Sequence, residues 1–217
     1  MNYFAHGLHF VDEPYVLAGT AVPDWLNVVN RRAKARSSLA QPFVDDADEC
    51  VANIARGILR HHSDDRWFHQ TRAFAELSLQ FTVAIRDRLS TDTGFRPSFV
   101  GHILVELLLD AELIEQSPER LARYYSALDS LDPKRVAQIV NRMCTRTVDS
   151  LAVLIPRFSS ARFLYDYTDD EKLLARVNNV MDRIRLPLLP AELAEYFPAA
   201  RHAVRFRVQE LLNEYGK

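Results

Sequence analysis

Six glycines in 217 residues leave this chain few places to reverse direction tightly, and no stretch alternates apolar and polar residues with the period of two that a half-buried strand needs. Helix signals recur in their place. Ser117-Pro118-Glu119 and Asp132-Pro133-Lys134 each set a capping side chain before a proline, which has no N–H to lose at a first helical position. Pro97 suits the first turn of a helix running to Ile114, and Thr168-Asp169-Asp170-Glu171 has capping-box spacing. Asp45 or Asp46 can cap a helix with Val51, Ile54, Ala55, Ile58 and Leu59 on one face. Residues 2–11 read as a short helix, 14–30 as two short helices meeting near Pro23, and 67–89 as one long apolar helix. A loop is expected at 91–95, and the last helical region at 190–215, broken before Pro198. The expected fold is all-α, a compact domain of about nine or ten helices. Two prolines in 186–190 mark a joint, dividing a helical core over 1–186 from a C-terminal helical appendage over 187–217 packed on it.

Composition narrows the function. A hydrophobic fraction of 48% with 26% charged residues is that of a globular protein rather than a disordered one. The 27 basic and 29 acidic residues leave a net charge of −2, without the basic excess that a phosphate-binding surface usually carries, so nucleic acid is not an expected partner. Cys50 and Cys144 are far apart and in no CxxC spacing, which disfavours a disulfide framework or a thiolate zinc site. The first ten residues lack the pattern of a secretory signal, and no run reaches the ~18 apolar residues of a membrane span. The expected location is cytoplasmic.

Three polar clusters interrupt otherwise apolar segments. In FVGHILVELLLDAELI, residues 99–114, His102, Glu106 and Asp110 are spaced four apart and share a helix face. A buried carboxylate needs a compensating cation, and a metal or an arginine would serve; the alternative is a solvent-facing stripe. His61, Asp65 and His69 are again four apart, in the residue types that suit manganese, iron or zinc; the alternative is a polar helix terminus with a histidine on the helix dipole. His6 and His9 stand three apart near the start, and Asp24 lies between large apolar groups, where by itself it reads as a helix cap. The basic run Arg31, Arg32, Lys34, Arg36 would suit a phosphate or an acidic partner if it lies beside the site.

In this order the clusters resemble the acyl carrier protein phosphodiesterase family, all-α proteins distantly related to the HD-type metal-dependent phosphohydrolases. MNYFAHGLHF is similar to the family's opening, LAGTAVPDWL to its small-residue turn leading to an aspartate, here Asp24, and GILRHHSDD to its Gly-Ile-x-x-His-x-x-x-Asp pattern, here His61 and Asp65. His102 and Glu106 take the places of two acids four apart on a later apolar helix. The chain departs from the family at Leu59 and His62, where a histidine and an arginine are usual, and at His102. The resemblance implies an HD-like core and a divalent-metal hydrolase, manganese first and iron or zinc next. It would cleave the phosphodiester joining phosphopantetheine to acyl carrier protein. It also implies His6, Asp24, His61, Asp65 and Glu106 around the metal, with catalytic roles for Asp24, His69 and His102. Arg31, Arg32, Lys34 and Arg36 would receive the acidic carrier protein or its phosphate. Two other readings stand beside it: a non-catalytic helical binding protein that keeps the fold without the full ligand set, and a di-metal oxidative enzyme, whose usual Glu-x-x-His spacing is absent.

Overall fold

The computed structural model describes residues 1–89 and 94–212; the loop expected around Thr91 and the expected helix end at Tyr215 lie outside them. Among the described residues there are twelve α-helices, three short 3-10 segments and no strand. In chain order the α-helices are α1 Tyr3–Gly7, α2 Pro14–Val29, α3 Ser37–Ala40, α4 Glu49–Phe68, α5 Arg72–Arg88, α6 Pro97–Gln116, α7 Pro118–Asp129, α8 Pro133–Arg142, α9 Leu151–Ala161, α10 Asp170–Arg183, α11 Phe197–Arg205 and α12 Val208–Leu212. The all-α expectation holds, with more helices than nine or ten. No helix is long and apolar enough to cross a membrane among the described residues.

The chain divides into two compact units. One comprises residues 1, 3–66 and 117–162; the other comprises residue 2, 67–116 and 163 onwards. Residues 187–212, expected as an appendage, therefore belong to the second unit together with α5 and α6.

Several helix ends follow the local chemistry. Asp132 accepts from Lys134 N at 2.9 Å and starts α8, with Pro133 at its first position. Asp169, the second residue of the expected capping box, accepts from Lys172 N at 2.9 Å and starts α10. Other details differ from expectation. Residues 14–29 form one helix with Pro23 inside it. A proline there costs about 3 kcal/mol, but Leu17 before it and Trp25 and Leu26 after it are all fully buried, which holds both halves on one axis. The cap of α4 is Asp48, accepting from Cys50 N at 3.0 Å, rather than Asp45 or Asp46. The helix expected over 67–89 is broken at residues 69–71. There Thr71 accepts from Phe74 N at 3.1 Å, so α5 starts afresh.

In the first unit α2 and α4 meet at glycine. A Cβ built on Gly57 would lie 2.2 Å from the Val16 carbonyl oxygen and 2.7 Å from Gly19 Cα, and one on Gly19 would lie 2.4 Å from the Ile54 carbonyl oxygen. The two backbones touch with no side chain between them. Leu17 and Trp25 of α2 and Ile54 and Ile58 of α4 are fully buried, and Phe4 of α1 packs edge-on against Tyr124 of α7 at 6.0 Å. In the second unit the backbones of α5 and α6 also come close at a glycine. A Cβ on Gly101 would lie 2.9 Å from the Ser78 carbonyl oxygen. Phe81 of α5 meets Tyr196 edge-on at 5.9 Å, and Arg205 of α11 reaches Glu112 of α6 at 2.7 Å.

Helix propensity favours Ala over Gly by about 1 kcal/mol, so the α2–α4 crossing can be tested by asking which effect wins at residue 57. Gly57→Ala should lower stability by about 1–3 kcal/mol, the usual range for overpacking, in urea unfolding followed by circular dichroism. A gain of stability would show that the two helices do not touch there.

Candidate metal centre

The α2–α4 crossing sets the geometry of the first cluster. One turn beyond Gly57, His61 Nδ1 lies 2.9 Å from the carbonyl oxygen of Thr20, the residue after Gly19. A carbonyl only accepts, so Nδ1 carries the proton and the neutral ring keeps its lone pair on Nε2. That Nε2 lies 3.3 Å from Asp65 Oδ2, one turn further along α4. Because α4 runs unbroken to Phe68, His61 and Asp65 stay one turn apart on the same helix.

His6 arrives from α1 in the same orientation. Its Nδ1 is 3.4 Å from Asp64 Oδ2, and Asp64 is itself held by Arg60 Nε at 2.7 Å. Its Nε2 is buried and makes no hydrogen bond, 3.2 Å from Asp65 Oδ1. The His6 and His61 rings stack with centroids 4.2 Å apart and planes at 27°. Two imidazoles thus turn their Nε2 atoms toward one carboxylate while acceptors occupy both Nδ1 atoms. This is the arrangement by which outer partners orient histidine ligands. His6, His61 and Asp65 can together supply two nitrogens and an oxygen to a metal ion. Asp65 Oδ1 also accepts from the Met1 ammonium at 2.8 Å.

The electrostatics follow from this packing. Burial opposes ionisation of Asp65, but His6, His61 and the Met1 ammonium overcome it and hold the carboxyl far below the usual carboxylate range. Burial likewise opposes protonation of His61, and the carboxylates of Asp65 and Asp24 prevail, raising its pKa. Asp24, one turn beyond Thr20 on α2, therefore belongs to the electrostatic environment of this site. His9 lies past the end of α1 and is exposed.

The basic run is tied to the same helices by its backbone. Ala33 and Ala35 are buried while Arg31, Arg32, Lys34 and Arg36 are exposed. His62, the neighbour of His61, places Nε2 2.7 Å from the Ala35 carbonyl oxygen. Thr145 brackets Lys34, receiving from its N–H and donating to its carbonyl, each at 3.0 Å. Lys34 Nζ donates to Asn27 Oδ1 at 2.6 Å, three residues past Asp24.

The remaining expected residues gather in the second unit. His69 Nε2 lies 2.9 Å and His102 Nε2 3.2 Å from the same Glu106 oxygen, Oε1. These three also form a group able to hold a metal. Burial works against the Glu106 charge, and within this unit its hydrogen bonds with His102 and His69 favour it. Along α6 exposure falls from 42% for the His102 side chain to 13% for Glu106, and Asp110 is fully buried. The row is therefore no solvent stripe.

Asp64 and the Thr20 carbonyl escape a reading of the sequence. Asp64 pairs with Arg60 four residues earlier, the usual signature of a surface ion pair, although it is only 4% exposed. A backbone carbonyl has no residue signal at all.

In protein stripped of metal, His61 should titrate above its usual 6.5, and Asp65→Asn should lower it, because burial then faces less opposing charge. A raised histidine pKa means that the His61–Asp65 pairing stabilises the fold fully below pH 6.5 and loses that contribution as pH rises through the folded-state value. Imidazole Hε1 shifts followed by NMR check both statements. An unchanged titration in the variant would show that Asp65 does not govern His61.

No family model, curated protein or solved structure matches this chain.

Proposed function

We propose that this protein is a divalent-metal-dependent phosphodiester hydrolase with an HD-like core, acting on the bond between phosphopantetheine and a serine of acyl carrier protein. One observation carries the metal part of the reading. The Nε2 atoms of His6 and His61 converge on Asp65 while both Nδ1 atoms are taken by acceptors. The buried His6 Nε2, which makes no hydrogen bond among the described residues and lies 3.2 Å from Asp65 Oδ1, suits a metal bond. The neutral nitrogen and carboxylate donors fit manganese first, and iron or zinc next. When bound, such an ion would supply Lewis-acid polarisation of a phosphoryl oxygen and a water of lowered pKa.

The chain's own residues would do the rest. His6, His61 and Asp65 would hold the ion, and Asp64 and the Thr20 carbonyl would keep the two rings turned toward it. Asp24, whose charge reaches His61, is the base for the attacking water. Water adds at phosphorus, the bond to the serine oxygen breaks, and that oxygen takes up a proton. Arg31, Arg32, Lys34 and Arg36, exposed on a loop with a pinned backbone, attract the acidic carrier protein or its phosphate. Glu106, expected among the ligands, and His69 and His102, expected as acid or base, share a hydrogen-bonded group of their own.

The test is hydrolysis of bis(p-nitrophenyl) phosphate and of phosphopantetheinylated acyl carrier protein in the presence of Mn²⁺. Asp65→Asn and His61→Ala should each lower kcat/KM by about a hundredfold or more, at or above the 10–100-fold typical of losing an outer partner of a metal ligand. Their circular dichroism should be unchanged. Reversing Arg32 and Arg36 to Glu should raise KM for the carrier protein and leave the small diester unaffected. Equal activity of Asp65→Asn and wild type would rule out the metal reading, and turnover of the small diester with no turnover of the phosphopantetheinylated carrier protein would rule out the substrate.

A further inference from the structure

We propose that His69, His102 and Glu106 form a second metal site, one for a borderline divalent transition ion such as zinc, with donors drawn entirely from the second unit. It goes beyond the hydrolytic reading, whose ligands lie in the first unit.

Both histidine donors are already at ligand spacing from the carboxylate. Metal bonds of about 2.0–2.2 Å to histidine nitrogen and carboxylate oxygen, opened at roughly 90–110°, put neighbouring donors about 3.0–3.5 Å apart. His102 Nε2 and Glu106 Oε1 are 3.2 Å apart, and His69 Nε2 and the same oxygen 2.9 Å apart. All three donors lie within 4.8 Å of one another. Without an ion, both rings meet Oε1 through Nε2 and must spend their N–H groups on a single oxygen. With one, both Nε2 lone pairs and the carboxylate are used together.

The local fold holds this geometry. His102 and Glu106 are one turn apart on α6, which Gly101 presses onto the backbone of α5. His69 follows directly after α4, in the turn that Thr71 closes by capping α5. Phe74, fixed by that cap, sets its ring against both imidazoles, 4.8 Å from His69 and 4.9 Å from His102. The imidazoles stack 4.9 Å apart at 29°, so neither ring can turn without disturbing its contacts with the other imidazole and with Phe74. The carboxylate is mostly buried at 13%, whereas the His69 and His102 side chains are 32% and 42% exposed. Three protein ligands with an outer side open to solvent leave a fourth position for water or a substrate atom, the mark of a reactive zinc site rather than a closed structural one. Imidazole donors also select against magnesium and calcium, which prefer oxygen.

The probe is Co²⁺, followed by its visible absorption and by equilibrium dialysis on full-length protein freed of metal. Wild type should bind two equivalents. The double variant His69→Ala/His102→Ala should bind one, and so should Glu106→Gln, which keeps the shape of the side chain and loses its charge. In an Asp65→Asn/His61→Ala background one equivalent should still bind, and adding Glu106→Gln should weaken it about a hundredfold. Unchanged circular dichroism separates ligand loss from unfolding. Two equivalents retained in Glu106→Gln would overturn the second site. A wild-type total of one, abolished in the Asp65→Asn background, would overturn it too while leaving the hydrolytic site intact. A total of one that survives in that background and is lost in Glu106→Gln would support this site and sink the metal reading of the first.

Discussion

The contact on which the first cluster depends is a crossing of two helices at glycine. Gly19 and Gly57 let the backbones of α2 and α4 touch, and that separation decides what lies one turn away. At this distance the Thr20 carbonyl falls within hydrogen-bond reach of His61. A wider crossing would release the ring, and its Nε2 would no longer be aimed at Asp65. The site is thus assembled by backbone proximity first and by side-chain chemistry second. The second cluster repeats the logic at Gly101, where α6 presses on α5, and Thr71 supplies the turn that brings His69 to Glu106.

Burial decides how the charges behave. Asp65, Glu106 and Asp64 all sit where an isolated carboxylate would be costly. Each is answered by cationic or hydrogen-bonding groups: His6 and His61 for Asp65, His69 and His102 for Glu106, Arg60 for Asp64. Most of the answering groups are histidines, which can give up their protons, rather than arginines, which cannot. A carboxylate balanced by arginine is closed to metal. One balanced by neutral imidazoles still has donor capacity to offer.

Part of this was legible in the sequence. Cap-plus-proline starts located α7 and α8, since Pro118 and Pro133 act through their immediate neighbours. Spacing of four placed His61 with Asp65 and His102 with Glu106, because one helical turn needs no tertiary information. The interior of α2 was less legible: Pro23 signals a break locally, and only the burial of Leu17, Trp25 and Leu26 overrides it. The break at 69–71 rests on one threonine hydroxyl. The partnership of His69 with Glu106 joins residues 37 apart, so no local pattern could announce it. The grouping of the ionisable residues into two separate sets, one in each unit, is likewise a property of the tertiary fold.

Three consecutive residues of α4 serve three different partners. Arg60 reaches Asp64, His61 reaches Thr20, and His62 reaches Ala35. Successive side chains on a helix point about 100° apart, so each has its own direction and its own task. Inserting or deleting a single residue between Gly57 and Asp65 would hand every one of these tasks to the wrong neighbour and move the glycine off the crossing. Ser63 and Arg66 face solvent on the same stretch and can be exchanged freely. In this segment length is therefore under far stricter control than composition, and descent from a common ancestor would show itself here as unbroken spacing amid changing letters.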